Sequence, residues 1–135
     1  MTRMSSIRHR EVARHAGELL LEPLPRGAYV DEIEDIPATA GVYIVCTRDD
    51  EVLYTGSARR PSDPHGLVRR MREHLRKEQR RMRWHRVWLV PMKARATLGE
   101  VRLVEGMIGR DLGAPENRKL PRIVRGGGSN SGVAR

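Results

Sequence analysis

The chain has no phenylalanine, three tyrosines and two tryptophans in 135 residues, and a single cysteine, Cys46. One thiol cannot build an intramolecular disulfide framework or a cysteine-rich zinc site. No run approaches the ~18 apolar residues of a membrane-spanning helix, so no membrane partner is expected. The opening residues, MTRMSSIRHR, carry no apolar signal core, and the expectation is a reduced, cytoplasmic protein. Lysine is scarce too: 23 of the 26 basic residues are arginine, and only Lys77, Lys93 and Lys119 are lysines.

What is present is positive charge and enough apolar residues for a core. The net charge is +9 and the sequence pI about 10.9. Hydrophobic residues make up 39%, which in a chain of this length suits one domain with a real interior. Between Gly66 and Arg86 nine Lys/Arg face only Glu73 and Glu78, so most of the excess lies in one stretch. Residues 31–35, DEIED, are acidic instead. Arginine pairs bidentately with phosphate, so concentrated arginine points to nucleic acid before an acidic membrane surface.

Local patterns give a coarse order of elements. Ser5 or Ser6 can cap a helix running to about Leu21, with Ile7, Val12, Ala16, Leu19 and Leu20 as its apolar positions, which EPLPRG ends; residues 28–40 read as irregular. Strands follow at 41–47 and 51–55, joined by a charged turn, Arg48-Asp49-Asp50. The first has apolar residues on both alternations, Val42, Ile44 and Cys46 against Tyr43 and Val45, as a strand covered on both faces requires. SARRPSDPHG reads as a loop, 67–81 as a helix, and RVWLVPM (86–92) as a third strand. A last helix opens at Thr97 and ends near Gly113; an extended segment and a glycine-rich tail at 126–135 follow. The sequence thus predicts a small α/β sandwich.

Two helices carry the residues with chemical potential. On a helical wheel, Leu67, Val68, Met71 and Leu75 fill one arc, and Arg70, His74 and Lys77 run along its edge. Snorkelling of arginine over apolar surface accounts for such an edge as well as function does. In the last helix TLGE (Thr97 to Glu100) is a capping box, which gives Glu100 a structural job. Glu105 has none: it falls within the margin of the stripe Val101, Val104, Ile108, Leu112. An inward carboxylate is costly unless it pairs with an arginine or binds a cation. Tyr43 and Tyr54 sit on one hairpin, where a cross-strand aromatic pair or a functional pair are both admissible. His65, His85, Trp84 and Trp88 read as loop or core residues, and Cys46 as an inert core thiol.

In order along the chain these residues resemble the GIY-YIG nuclease superfamily. GVY (Gly41-Val42-Tyr43) and YTG (Tyr54-Thr55-Gly56) stand for its two triplets, with ten residues between the tyrosines. GLVRRMREH resembles its arginine helix and selects Arg70 and His74 by spacing; VEGMIGRDLGAPEN resembles its glutamate helix, with Glu105, Pro115 and Asn117 in order. Thr55 stands where isoleucine is usual, the loop 57–65 is longer than in compact members, and about the first forty residues fall outside the similarity, which covers roughly 38–120.

The resemblance implies an α+β fold, a small three-stranded antiparallel sheet flanked by helices. An extra N-terminal helical extension (1–37) would precede the nuclease domain (38–125). It implies a metal-dependent DNA endonuclease with one Mg²⁺ or Mn²⁺ on Glu105. Tyr43 would activate water, Arg70 would neutralise charge on the phosphorane, Tyr54 and His74 would orient groups or move a proton, and Asn117 would anchor the site. Arg59, Arg60, Arg69, Lys77, Arg80 and Arg81 are the candidate DNA contacts. Sequence choice would come from the core's loops, from a homodimer or from a protein partner. The alternatives are a non-cleaving nucleic-acid-binding module of the same fold and a partner-dependent assembly protein.

Overall fold

The computed structural model describes residues 2–76 and 83–117. Its centre is a strand that is buried at every position, β2 (Ala40–Cys46). A strand can be buried so completely only with a strand on each side and a layer on each face. β2 pairs antiparallel with β3 (Val52–Arg59) on one side and with β4 (Arg86–Met92) on the other. The two faces match the two alternations read in the sequence. Val42, Ile44 and Cys46 join one buried cluster, and Tyr43 and Val45 join another.

The first cluster is closed by the N-terminal segment and the last helix. α1 (Ser6–Ala13) brings Val12 and Ala13, while α3 (Leu98–Leu112) brings Val101, Val104, Ile108 and Leu112. The second is closed by α2 (Gly66–Leu75), through Leu67, Val68 and Met71. α2 and α3 therefore lie on opposite faces of the sheet. α3 has the capping box its sequence announced: Glu100 N–H donates to Thr97 Oγ1 (3.1 Å) and Thr97 N–H to Glu100 Oε1 (2.8 Å). Gly113 (φ 62°) ends it in the left-handed conformation.

Five features differ from the sequence expectation. α2, read as running from 67 to 81, ends at Leu75 with Arg76 as its cap. The sheet has four strands, not three: β1 (Ala28–Tyr29) lies in the stretch read as irregular and pairs with Val87 and Arg86, giving the order β1-β4-β2-β3. A two-residue strand has no period to read. The N-terminal helix does not reach Leu21. It stops at Ala13 and continues as 3-10 turns (Arg14–Leu19), because Gly17 takes φ 54°, ψ −131°. Ile7, taken for an apolar-face residue, is 73% exposed. Finally, Ser57, Ala58 and Arg59 belong to β3 rather than to a loop, because they pair with Val42, Gly41 and Ala40. Pro91 is tolerated in β4 because β1 does not reach it and the segment beside it uses only its carbonyl, which accepts from Leu21 N–H at 2.9 Å.

The hairpin turn is held from outside. Asp50, at φ 64°, accepts from Arg86 Nε and Trp88 Nε1, both at 2.9 Å, through Oδ1. Among the described residues no helix is long and apolar enough to cross a membrane.

Candidate active site

β3 is an edge strand, and this brings two opposite faces together. Tyr54 and Gly56 pair with Val45 and Tyr43, on the α2 side of the sheet. Thr55 and Ser57 pair with Ile44 and Val42, on the α3 side. Around the open edge, side chains from both helices meet in one cleft of about 540 Å³. α2 contributes Arg70 and His74, α3 contributes Arg102 and Glu105, and β3 contributes Tyr54 and Ser57. Arg59 and Arg60 complete the basic wall.

The aromatic side of the cleft is built on glycine. A Cβ at Gly56 would overlap the ring and hydroxyl of Tyr43, so only glycine lets that ring cross β3. Tyr43 is fully buried, and its hydroxyl is hydrogen-bonded to His74 Nδ1. The phenol O–H donates when that nitrogen carries no proton. The Tyr54 ring lies 6.3 Å from Tyr43 and stacks on Trp84 at 5.1 Å with 22° between planes. His74 meets all three rings edge-on, at 5.7 Å from Tyr43, 6.0 Å from Tyr54 and 6.5 Å from Trp84.

The acidic side is Glu105. Its residue is only 7% exposed, although the cleft reaches it. Ser57 Oγ donates to its Oε1. Burial raises the Glu105 pKa above the ordinary carboxylate value, against the hydroxyl of Ser57 and the charge of Arg102, which lower it. Among the described residues no arginine, lysine or histidine forms a salt bridge with it; the bridges go to other carboxylates. The arginine pairing that would have made Glu105 merely structural is not found there.

Asn117 does not line the cleft. Its Oδ1 accepts from Thr55 N–H and its Nδ2 donates to Thr55 C=O, both at 2.6 Å. Glu116 N–H donates to Leu53 C=O at 2.8 Å. The 116–117 segment thus serves the free edge of β3 as a neighbouring strand would. The Thr55 hydroxyl, where isoleucine was usual, is buried without a hydrogen-bond partner among the described residues.

The candidate DNA contacts separate into three groups. Arg59 and Arg60 line the cleft: Arg59 Nε donates to Ala96 C=O (2.7 Å), and Arg60 is bidentate to Glu73. Arg69, with a side chain 59% exposed, faces Asp63 at 3.3 Å outside the cleft. Lys77, Arg80 and Arg81 lie outside the described residues.

Sequence reasoning missed Ser57, Glu73, Arg102 and the stacking role of Trp84. Ser57 follows YTG directly and alternates with Thr55, but its place beside Glu105 emerges only from the pairing that carries β3 past Gly56. Arg102 sits three residues before Glu105, and so on the same helix face.

Among the described residues there is no group of three or more His, Cys, Asp or Glu able to hold a metal ion. A metal here would take Glu105 as its protein ligand, with water and substrate oxygens completing the shell. Mg²⁺ is often held that way, and a buried carboxylate partnered by a hydroxyl rather than by a cation suits it. No family model, curated protein or solved structure matches the chain.

Proposed function

We propose that the chain is a divalent-metal-dependent endonuclease that hydrolyses phosphodiester bonds in DNA, as its resemblance to the GIY-YIG nucleases implies. The observation that carries the reading is Glu105. A desolvated carboxylate opens onto a cleft whose wall holds Arg59, Arg60, Arg70 and Arg102, yet among the described residues it forms no salt bridge with any of them. A cleft made only to bind polyanions gains nothing from a buried acid, whereas a cation site needs one.

The residues divide the work by position. Glu105 would hold Mg²⁺ or Mn²⁺, which when bound would polarise the scissile phosphate and stabilise the leaving oxygen. Ser57 orients the Glu105 carboxylate through its hydroxyl. Tyr43 is fully buried and does not line the cleft, whereas His74 lines it and holds the Tyr43 hydroxyl, so the proton of the attacking water would reach Tyr43, as base or relay, only by way of His74. Arg70 offsets the charge that builds on the phosphorane. Tyr54, braced on Trp84, orients water or phosphate, and Asn117 fixes the strand from which Tyr54 and Ser57 project.

The test is cleavage of supercoiled plasmid and of branched DNA with Mg²⁺, Mn²⁺ or EDTA, beside Glu105→Ala. Metal-dependent nicking is expected for the natural chain. In the variant it should fall by at least about 10²-fold with the melting temperature retained. Full activity of Glu105→Ala would remove the metal-ligand assignment. Salt-sensitive binding by both proteins without cutting would favour the non-cleaving binding module. A homodimer without DNA affinity at any salt would favour the assembly protein.

A further inference from the structure

Arg60 and Arg70 both line the cleft, but the acid that holds them is Glu73, not Glu105. Glu73 stands three residues after Arg70 on α2. Its Oε2 and Oε1 accept from Arg60 Nη1 and Nη2 at 2.7 and 2.6 Å, a fork-to-fork pair. Arg70 Nη1 is 3.6 Å from Oε1, beyond hydrogen-bond range. One carboxylate therefore serves two guanidinium groups and saturates only one. These charges hold Glu73 at about 2, with the Arg60 hydrogen bonds as the main cause.

The cluster is poorly suited to a purely structural role. All three side chains keep 35–38% of their surface in water, where an ion pair stabilises little. Its geometry suits exchange. The two-oxygen face that Glu73 offers Arg60 is the one a phosphodiester offers, and guanidinium forks bind both alike. The backbone at Arg60 is fixed independently of Glu73, because its N–H donates to Thr39 C=O at 2.8 Å.

We propose that Arg60 and Arg70 form a phosphate subsite of the cleft in which Glu73 is a resident counter-ion that a nucleic-acid phosphodiester displaces. The inference rests on the nucleic-acid reading of the cleft and deepens it. Glu73 lowers affinity for every anion, and a single phosphate gains too little to evict it. A strand that places further phosphates on Arg59 and Arg102 gains more. Glu73 thus makes the cleft selective for polyanions.

The test is a double-mutant cycle read by fluorescence anisotropy of a labelled DNA duplex in EDTA, with Glu73→Gln, Arg60→Gln and the double variant. Glu73→Gln should bind about tenfold tighter and steepen the salt dependence by about one phosphate. Arg60→Gln should bind more weakly. In the Arg60→Gln background the gain from Glu73→Gln should shrink to less than about twofold. An equal gain in both backgrounds would mean a general charge effect and overturn the subsite. So would no gain at all, which would leave Glu73 as a clamp between loop and helix. Glu73→Asp, which keeps the charge but withdraws it from Arg60, should give a smaller gain in the same direction and serves if Glu73→Gln does not fold. Plasmid cleavage measured in parallel separates the two claims. Cutting without the cycle's signature removes the subsite alone, and the signature without cutting removes the nuclease alone.

Discussion

At position 56 a hydrogen in place of a methyl group decides where Tyr43 can lie. The Tyr43 ring crosses β3 at the point where any Cβ would sit, and its hydroxyl reaches His74 only from there. Gly56→Ala should therefore cost about 1–3 kcal/mol of stability in urea denaturation and lower cleavage as well, because the ring must leave its place. Unchanged stability would mean that the ring shifts freely and that its place is not set by β3. Glu105 illustrates the opposite economy. Its inward position was legible from the helix wheel, because the stripe of α3 is a local pattern. The hydroxyl beside it was not, because Ser57 faces Glu105 only if β3 runs past Gly56.

α1 and the end of α3 meet through one acid. Asp111 Oδ1 accepts from Arg8 Nη2 at 2.7 Å, and Oδ2 is 2.9 Å from His15 Nε2. His15 and Arg8 together hold the Asp111 carboxyl below its ordinary value. A depressed acid contributes stability in full above its unfolded pKa and loses it as pH falls towards the folded one. Asp111→Asn should thus cost about 0.5–1 kcal/mol at neutral pH, the range of partly exposed pairs. That gap should close as the pH drops below 3.8, the ordinary aspartate value. A gap that stays constant on acidification would show that the tether stabilises by packing rather than by charge. The N-terminal element as a whole was the hardest to read. Its apolar positions suggested one long helix, whereas Gly17 breaks the backbone and the following residues dock through isolated contacts such as Leu20 with Met92.

Across the molecule the charge balance is the largest physical signal, and it should govern association. If the cleft arginines neutralise phosphates, the logarithm of DNA affinity should fall with the logarithm of salt at a slope of about −3 or steeper. A flat response, measured by anisotropy across a salt series, would contradict a phosphate-binding face. By itself the sequence determined the features that repeat locally. These are the double-faced burial of β2, the capping box of α3 and its end near Gly113, the amphipathic arc of α2 and the inward Glu105. Each follows from side-chain period and cap chemistry within a few residues. Only the tertiary structure decided the rest. Pairing to Ala40–Val42 made Ser57–Arg59 a strand, and a two-residue match to β4 added β1. Placement of β3 at the sheet's edge let residues from helices on opposite faces share one cleft. Those outcomes depend on which distant segments gain hydrogen bonds and burial from meeting, and no local pattern encodes a partner. The Arg60–Glu73 pair belongs with them: its two residues were visible, but their meeting required β3 to deliver Arg60 to the side of α2.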